Sequence, residues 1–543
     1  MVTMTSMARR RSWLTAACVL GVVPAAHAQG VRSGTDLFVT ADRCMACHNG
    51  LVTSAGEDVS IGLLWRPTMM ANSARDPYWR AAVRREMLDR PAAAAAIQDE
   101  CSKCHMPMMR YAAHVDGRVG EVFANPPTGG RTAAERLAAD GVSCSMCHQI
   151  AAENLGTEES LVGGFQVDGT APPDHRAIFG PFQIDSGRTR VMQSATGFLP
   201  TEASHLRTSE LCATCHTLHT HAMDADGNVI GRLPEQVPYQ EWRHSGYAPA
   251  QTCQSCHMPV VEDSVAITGV LGHPRPGVHR HGFRGGNFFV LRMLNRYRAE
   301  LGVTALPQEL DAAAERTVAE LTTATATVTV ERGRVEDGVL EADVAVRNLT
   351  GHKFPTAYPS RRAWLHVMVR DGDGRVLFES GGLASDGSIL GNDNDADARG
   401  FESHYATIDD PAEVQIYEAI LGGPDGAVTT GLLTASQYLK DNRLLPAGFD
   451  KATAEDDIAV HGAALDDPNF GAGGDRVRYR VRVGGATAPY RMVVELWYQP
   501  IGFRWAKNLR SYDAPETTRF TSYYQAMGSA SAALIARAET EIR

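Results

Sequence analysis

The sequence predicts two domains: a mainly α-helical and irregular domain packed around large apolar prosthetic groups, followed by an antiparallel, immunoglobulin-like β-sandwich. Three observations lead there. At 543 residues the chain exceeds what one ordinary core organises. All eleven cysteines lie before residue 257, and the rest of the chain has none. After residue 322, sparse helical stretches give way to short runs of alternating apolar and polar residues separated by turn residues.

Residues 1–28 read as an export signal. Arg9, Arg10 and Arg11 precede an apolar run from Trp13 to about Ala25, and the small residues at 26–28 offer a cleavage site. The run is shorter than the ~20 residues of a spanning helix, which argues against an uncleaved anchor. A lipoprotein cut before Cys18 would leave a still shorter apolar region. The expected location is periplasmic, at the cell surface or extracellular. Removing the signal takes three arginines and no acidic residue, so the mature net charge is −14. That charge argues against nucleic acid as a partner. No later run of about 20 apolar residues appears, so no integral membrane span is expected in the mature chain.

Residues 29–286 are the expected first domain. Their ten cysteines form five units, "CMACH" (44–48), "CSKCH" (101–105), "CSMCH" (144–148), "CATCH" (212–216) and "CQSCH" (253–257), with none left over. C-x-x-C-H is the attachment signal for haem c. Two thiols two residues apart reach the two vinyl groups of one porphyrin, and the adjacent imidazole swings onto the iron. Zinc knuckles come in pairs and need no histidine after each second cysteine. Adjacent disulfides would leave five histidines in register without a reason. Five covalently bound haems are therefore expected, on Cys44 and Cys47, Cys101 and Cys104, Cys144 and Cys147, Cys212 and Cys215, and Cys253 and Cys256. Their proximal ligands are His48, His105, His148, His216 and His257. Only the stretches 76–89 and 131–140 read clearly as helices here, so the apolar interior is expected to come from the haems.

The second axial position decides the chemistry, because a side chain there makes an electron carrier and an open position admits a small molecule. His205 precedes Cys212 by seven residues and on a helix would share its face. His175, His244, His279 and His281 are further candidates. At this point the chain resembles the multihaem c-type cytochromes that include the tetrahaem cytochrome of nitrifiers, hydroxylamine oxidoreductase and pentahaem nitrite reductase. Those families carry distal histidines in W-x-x-S-x-H segments. Here Trp65 and Thr68 are followed by Met70 at the histidine position, and Trp242 and Ser245 by Tyr247. Met70 is thus either a His/Met ligand or a residue packed on a haem face. Pentahaem nitrite reductase has lysine in its catalytic attachment motif, and no motif here ends in lysine.

Two helical patterns, 287–301 and 307–323, read as a linker over 287–322, with the β-sandwich at 323–543. Alternating runs begin near 325, 340, 363, 375, 476 and 490, interrupted by an irregular insertion over 432–450. Asp393, Asp395 and Asp397 stand at alternate positions, as calcium ligands often do, but no glutamate closes the loop, so a solvated acidic loop competes with a calcium site. In "LTGHKFPTAYPS" (349–360), His352 is either a turn residue or a distal ligand inserted by the β domain; the resembling families often carry a GHKFPT-like segment, which favours the ligand. The resulting expectation is an electron relay between redox partner proteins. Two alternatives are an oxidoreductase of a small nitrogen or sulfur compound at one open haem, and a filament-forming cytochrome that self-assembles through its β domain.

Overall fold

A computed structural model describes residues 33–543, so the export signal lies outside the described residues. The first half is built of short helices joined by irregular chain. Helix Pro77–Asp89 starts where Pro77 tolerates the missing donor and the Asp76 carboxylate accepts from the N–H groups of Tyr78 and Trp79 at 2.8 and 3.2 Å. Helix Ala133–Ala139 opens with a Thr132–Glu135 capping box. A parallel pair, Arg176–Gly180 with Phe198–Glu202, and a hairpin, Leu218–Met223 with Val229–Gln236, add strands. This half also has an apolar cluster of its own, including Trp79, Val83, Met106, Met108, Met109 and Leu137. The expectation that bound groups supply the whole interior is corrected accordingly: the methionines after the second motif turn flexible thioethers inward.

The C-terminal half carries a multi-stranded antiparallel region. Strands Ala326–Glu336, Val339–Asn348 and Gly474–Arg482 pair in that order, with Thr407–Ile408 parallel on the last. The larger sheet runs Val428–Thr429, Ile416–Gly422, Arg362–Arg370, Tyr490–Gln499, Ala533–Ile542, with Gln437–Asp441 and Val376–Ser380 attached beside it. Period-two burial explains the assignments: Val477, Tyr479 and Val481 face inward while Arg476, Arg478 and Arg480 face out. One apolar core takes Val344 and Tyr479 from the first sheet and Leu365 and Val494 from the second. Helices Phe288–Arg296 and Pro307–Ala324 contribute Phe288, Phe289 and Leu310 to that same core.

The insertion over 432–450 is not wholly irregular. Gln437–Asp441 pairs antiparallel with Ile416–Gly422. Its "KDNR" run looks solvated, yet Lys440, Asp441, Asn442 and Arg443 are all buried, with Lys440 paired to Glu418 at 3.1 Å. The two halves are joined closely. Helix Pro77–Asp89 lies against Pro515–Met527, with Arg84 on Glu516 at 2.8 Å and the Tyr78 and Phe520 rings 5.0 Å apart. Among the described residues no helix is long and apolar enough to cross a membrane.

Candidate haem centres

Each C-x-x-C-H unit sits on a short helix or its C-terminal edge: Ala41–Met45, Ala94–His105, Cys144–Cys147, Ser209–His216 and Cys253–His257. One turn places the two cysteines, three apart, on one face, and the following histidine lies beside the first cysteine. The ten cysteines form no disulfide.

Four of the five motif imidazoles are held in one tautomer. A carbonyl oxygen can only accept, so a ring nitrogen facing one carries the proton. His48 Nδ1 donates to the Ile267 carbonyl at 2.6 Å, His148 Nδ1 to Phe179 at 2.6 Å, His257 Nδ1 to Arg284 at 2.5 Å and His105 Nδ1 to Ser73 at 3.3 Å. Each bond leaves Nε2 with a free lone pair, as a metal ligand requires. Burial lowers the pKa of His148 and brings His105 down to about 4, so these rings stay neutral at pH 7.

Two motif histidines face a second histidine. The rings of His257 and His352 have centroids 6.3 Å apart and planes within 14°, and those of His148 and His281 are 6.4 Å apart within 18°. Two imidazoles bound on opposite sides of one ion, with metal–nitrogen bonds of about 2 Å and each nitrogen about 1 Å from its ring centre, would have centroids about 6 Å apart. The incoming rings carry the same tautomer: His352 Nδ1 donates to the Lys353 carbonyl at 2.9 Å and His281 Nδ1 to that of His279 at 3.0 Å. Burial holds both neutral, His281 at about 3. These residues fit haem c.

The other distal candidates have different surroundings. His205 and His244 spend Nε2 on the carbonyls of Ile150 and Asp450, at 2.8 and 3.0 Å, so only Nδ1 is free. His279 keeps Nε2 free, since its Nδ1 donates to Met258 at 2.5 Å. His175 is exposed. Met70 is half-buried, and its carbonyl accepts from Val142 at 3.0 Å. Tyr247, at the histidine position of its W-x-x-S-x-H-like segment, donates its hydroxyl to the Leu349 carbonyl at 2.8 Å, beside the His352 loop.

The motifs touch one another. The thiols of Cys44 and Cys144, Cys104 and Cys215, and Cys212 and Cys253 are mutual partners, and Cys147 feels the charge of Cys215. Motifs one, three, four and five therefore adjoin in that order, with motif two also beside motif four.

Among the described residues, Asp393, Asp395 and Asp397 form no close group of carboxylate oxygens. Asp395 is buried and held by both Arg362 terminal nitrogens at 2.9 and 2.8 Å, and Asp397 pairs with Arg399 at 2.9 Å. A different trio, His404, Asp467 and Asp475, is buried and close together. Gln415 and Asn442 point amide protons at His404 Nδ1 from 2.9 and 3.1 Å, with their orientations pinned because their own oxygens accept from the Tyr405 and Glu418 backbones. The ring proton is therefore on Nε2, facing Asp467 at 3.2 Å, where a metal would have to bind. This trio is a structural hydrogen-bond network.

Burial pushes Asp475 up to about 7 and His404 down to about 4. Against unfolded values of about 3.9 and 6.5, the folded state gains a proton at one and loses a proton at the other across roughly pH 4 to 6.5, so their effects on stability oppose. Asp475→Asn removes the first effect. Denaturant titrations of that variant should show stability rising with pH across this window more steeply than in the parent.

The sequence reading missed four buried charged residues next to His352: Lys353, Asp441, Arg443 and Glu241. The signal available was a lysine directly after the histidine in an otherwise apolar turn. No protein-family model and no curated protein matches this sequence. The three-dimensional likeness is to a penta-haem cytochrome c552 from Thermochromatium tepidum, with a TM-score of 0.52 over 93% of this chain and 99% of that one, at 16% sequence identity. The chain shares the fold of that cytochrome. The likeness extends through both halves, so the sheets belong to the shared fold as much as the motif-bearing region does.

Proposed function

We propose that the protein is an exported pentahaem c-type cytochrome that relays electrons between redox partner proteins. The observation that carries this reading is the opposition of His352 to His257 and of His281 to His148. An iron with imidazole on both faces offers no position to a substrate. Bound haem supplies a reversible one-electron couple. The chain's part is to hold its ligand rings in one tautomer through backbone carbonyls and to keep successive motifs in contact. Export is supported by the Arg9–Arg11 run and the apolar segment after it, and a periplasmic or cell-surface location agrees with haem attachment outside the cytoplasm. The strand orders 326–336, 339–348, 474–482 and 533–542, 490–499, 362–370 support an immunoglobulin-like sandwich, matching the A-B-E and G-F-C orders of that fold, while 407–408 joins the first sheet at the D position by a parallel pairing. The protein matured in a host that attaches haem c should carry five haems per chain by pyridine haemochrome, with near-infrared ligand bands of at least two bis-histidine centres. Absence of any bis-histidine band would overturn the relay.

A second reading has one observation in its favour. Beside motif two, the Trp79 ring stacks on His105 at 4.3 Å, and near Cys101 the buried Glu235 carboxyl is pushed up to about 8 by desolvation and by Glu86. A proton-holding group next to one centre suits reduction or oxidation of a small nitrogen or sulfur compound there. A high-spin fraction that binds cyanide in the unmodified protein, and is lost on changing motif two alone, would favour it.

A further inference from the structure

The His352 loop is gripped by a single helix of the cysteine-bearing half. That helix, Pro238–Arg243, lies between motifs four and five and carries Glu241, which is fully buried. A buried carboxylate is tolerated when it is hydrogen-bonded or paired with a cation. Here Oε2 accepts from the backbone N–H of Lys353 at 3.1 Å and from the Thr356 hydroxyl at 2.5 Å, while Oε1 makes no hydrogen bond and is balanced by the charge of Arg443, whose Nη1 lies 2.9 Å away. Arg443 in turn grips Asp441 through Nε and Nη2, and Asp441 takes the Lys353 ammonium at 2.7 Å. Lys353 Nζ also donates to the Ala459 carbonyl at 3.1 Å.

The geometry is direct. Residue 353 is held by its N–H to Glu241, and its C=O accepts the Nδ1 proton of His352 at 2.9 Å. On the other side of the histidine, Gly351 lies against the Tyr247 and Trp242 rings, so close that an added Cβ would stand 3.3 Å from Tyr247 Cγ. One helix and the residues just after it thus fix the backbone on both sides of His352. We propose that Glu241 is a positioning residue for axial coordination: its carboxylate sets the Lys353 backbone that aims His352 Nε2 at the iron carried by His257. This rests on His352 being the distal ligand.

The test compares Glu241→Ala, Glu241→Asp and His352→Ala in the full-length holoprotein. His352→Ala tests the ligand and the Glu241 variants test its positioning. Electron paramagnetic resonance should show Glu241→Ala shifting part of one haem equivalent from low to high spin. Imidazole should bind that centre about tenfold more tightly than in the parent, because the fraction held by His352 has fallen. A purely structural role would lower the unfolding midpoint and leave both readouts unchanged. If Glu241→Ala does not yield folded holoprotein, Glu241→Asp carries the test: it keeps the charge near Arg443 but withdraws it by one methylene from Lys353, and it should show the same imidazole response. A parent-like spectrum and imidazole affinity in the Glu241 variants, with His352→Ala converting one haem, overturns the positioning role alone. An unchanged spectrum in His352→Ala overturns the ligand reading beneath it.

Discussion

Replacing His352 with alanine should convert one low-spin haem to high spin and open that iron to imidazole or cyanide. The expectation follows from three facts about one ring. Its centroid stands 6.3 Å from that of His257, a separation that leaves room for an ion between the two nitrogens. Its Nδ1 proton is committed to the Lys353 carbonyl, so Nε2 is the nitrogen able to bind. Burial lowers its pKa, so the lone pair is not lost to a proton at neutral pH. The loop itself should survive the change. Asn348 Nδ2 donates to the carbonyls of His352 and Leu444 at 2.8 and 2.9 Å, and Phe354 and Leu444 exchange backbone hydrogen bonds, none of which uses the imidazole. The spectral change should therefore arrive with little loss of stability. Added imidazole should restore the low-spin spectrum, and a variant identical to the parent would remove His352 from coordination.

Asp441→Asn should cost more stability than most single changes in this chain, about 3–5 kcal/mol at neutral pH, because it leaves two buried cations without their shared carboxylate. Asp441 is 2% exposed and accepts from Lys353 Nζ at 2.7 Å and from Arg443 Nε and Nη2 at 2.8 and 2.7 Å. Burial alone would raise its pKa, but the two cations hold it well below the ordinary carboxylate range. A depressed folded pKa means that the stabilisation is present above the unfolded value of about 3.9 and is lost as pH falls toward the folded one. The gap between parent and variant should narrow once pH drops below about 4. Urea unfolding followed by far-ultraviolet circular dichroism at pH 7 and pH 3 measures both quantities, and equal gaps at the two pH values would contradict the ion-pair account.

Much of the secondary structure was legible because it is local. The runs 326–336, 339–348, 362–370, 376–380, 474–482 and 490–499 alternate with period two and form strands, and the stretches at 77–89, 133–139 and 307–324 carry their own start signals and form helices. The strand Gln437–Asp441 was hidden because its charges are solved by distant partners: Lys440 by Glu418, and Asp441 by Lys353. Neither pairing leaves a trace in the local pattern. The axial candidates divided in the same way. His205 looked suitable by spacing from Cys212, but its Nε2 is taken by the carbonyl of Ile150, a contact made across the fold.

What the sequence determined by itself is the five C-x-x-C-H units, the pattern of haem c attachment, in which two thiols and an imidazole are placed by a single helical turn and need nothing further away. What only the tertiary structure decided is which distant histidine faces which motif. His281 reaches His148 and His352 reaches His257 through loops whose positions depend on carbonyl acceptors, on the packing of Gly351 against Tyr247, and on a buried ion cluster shared between the halves. A proximal ligand is fixed by bonds along the chain, whereas a distal one is fixed by packing, and packing is a property of the whole fold.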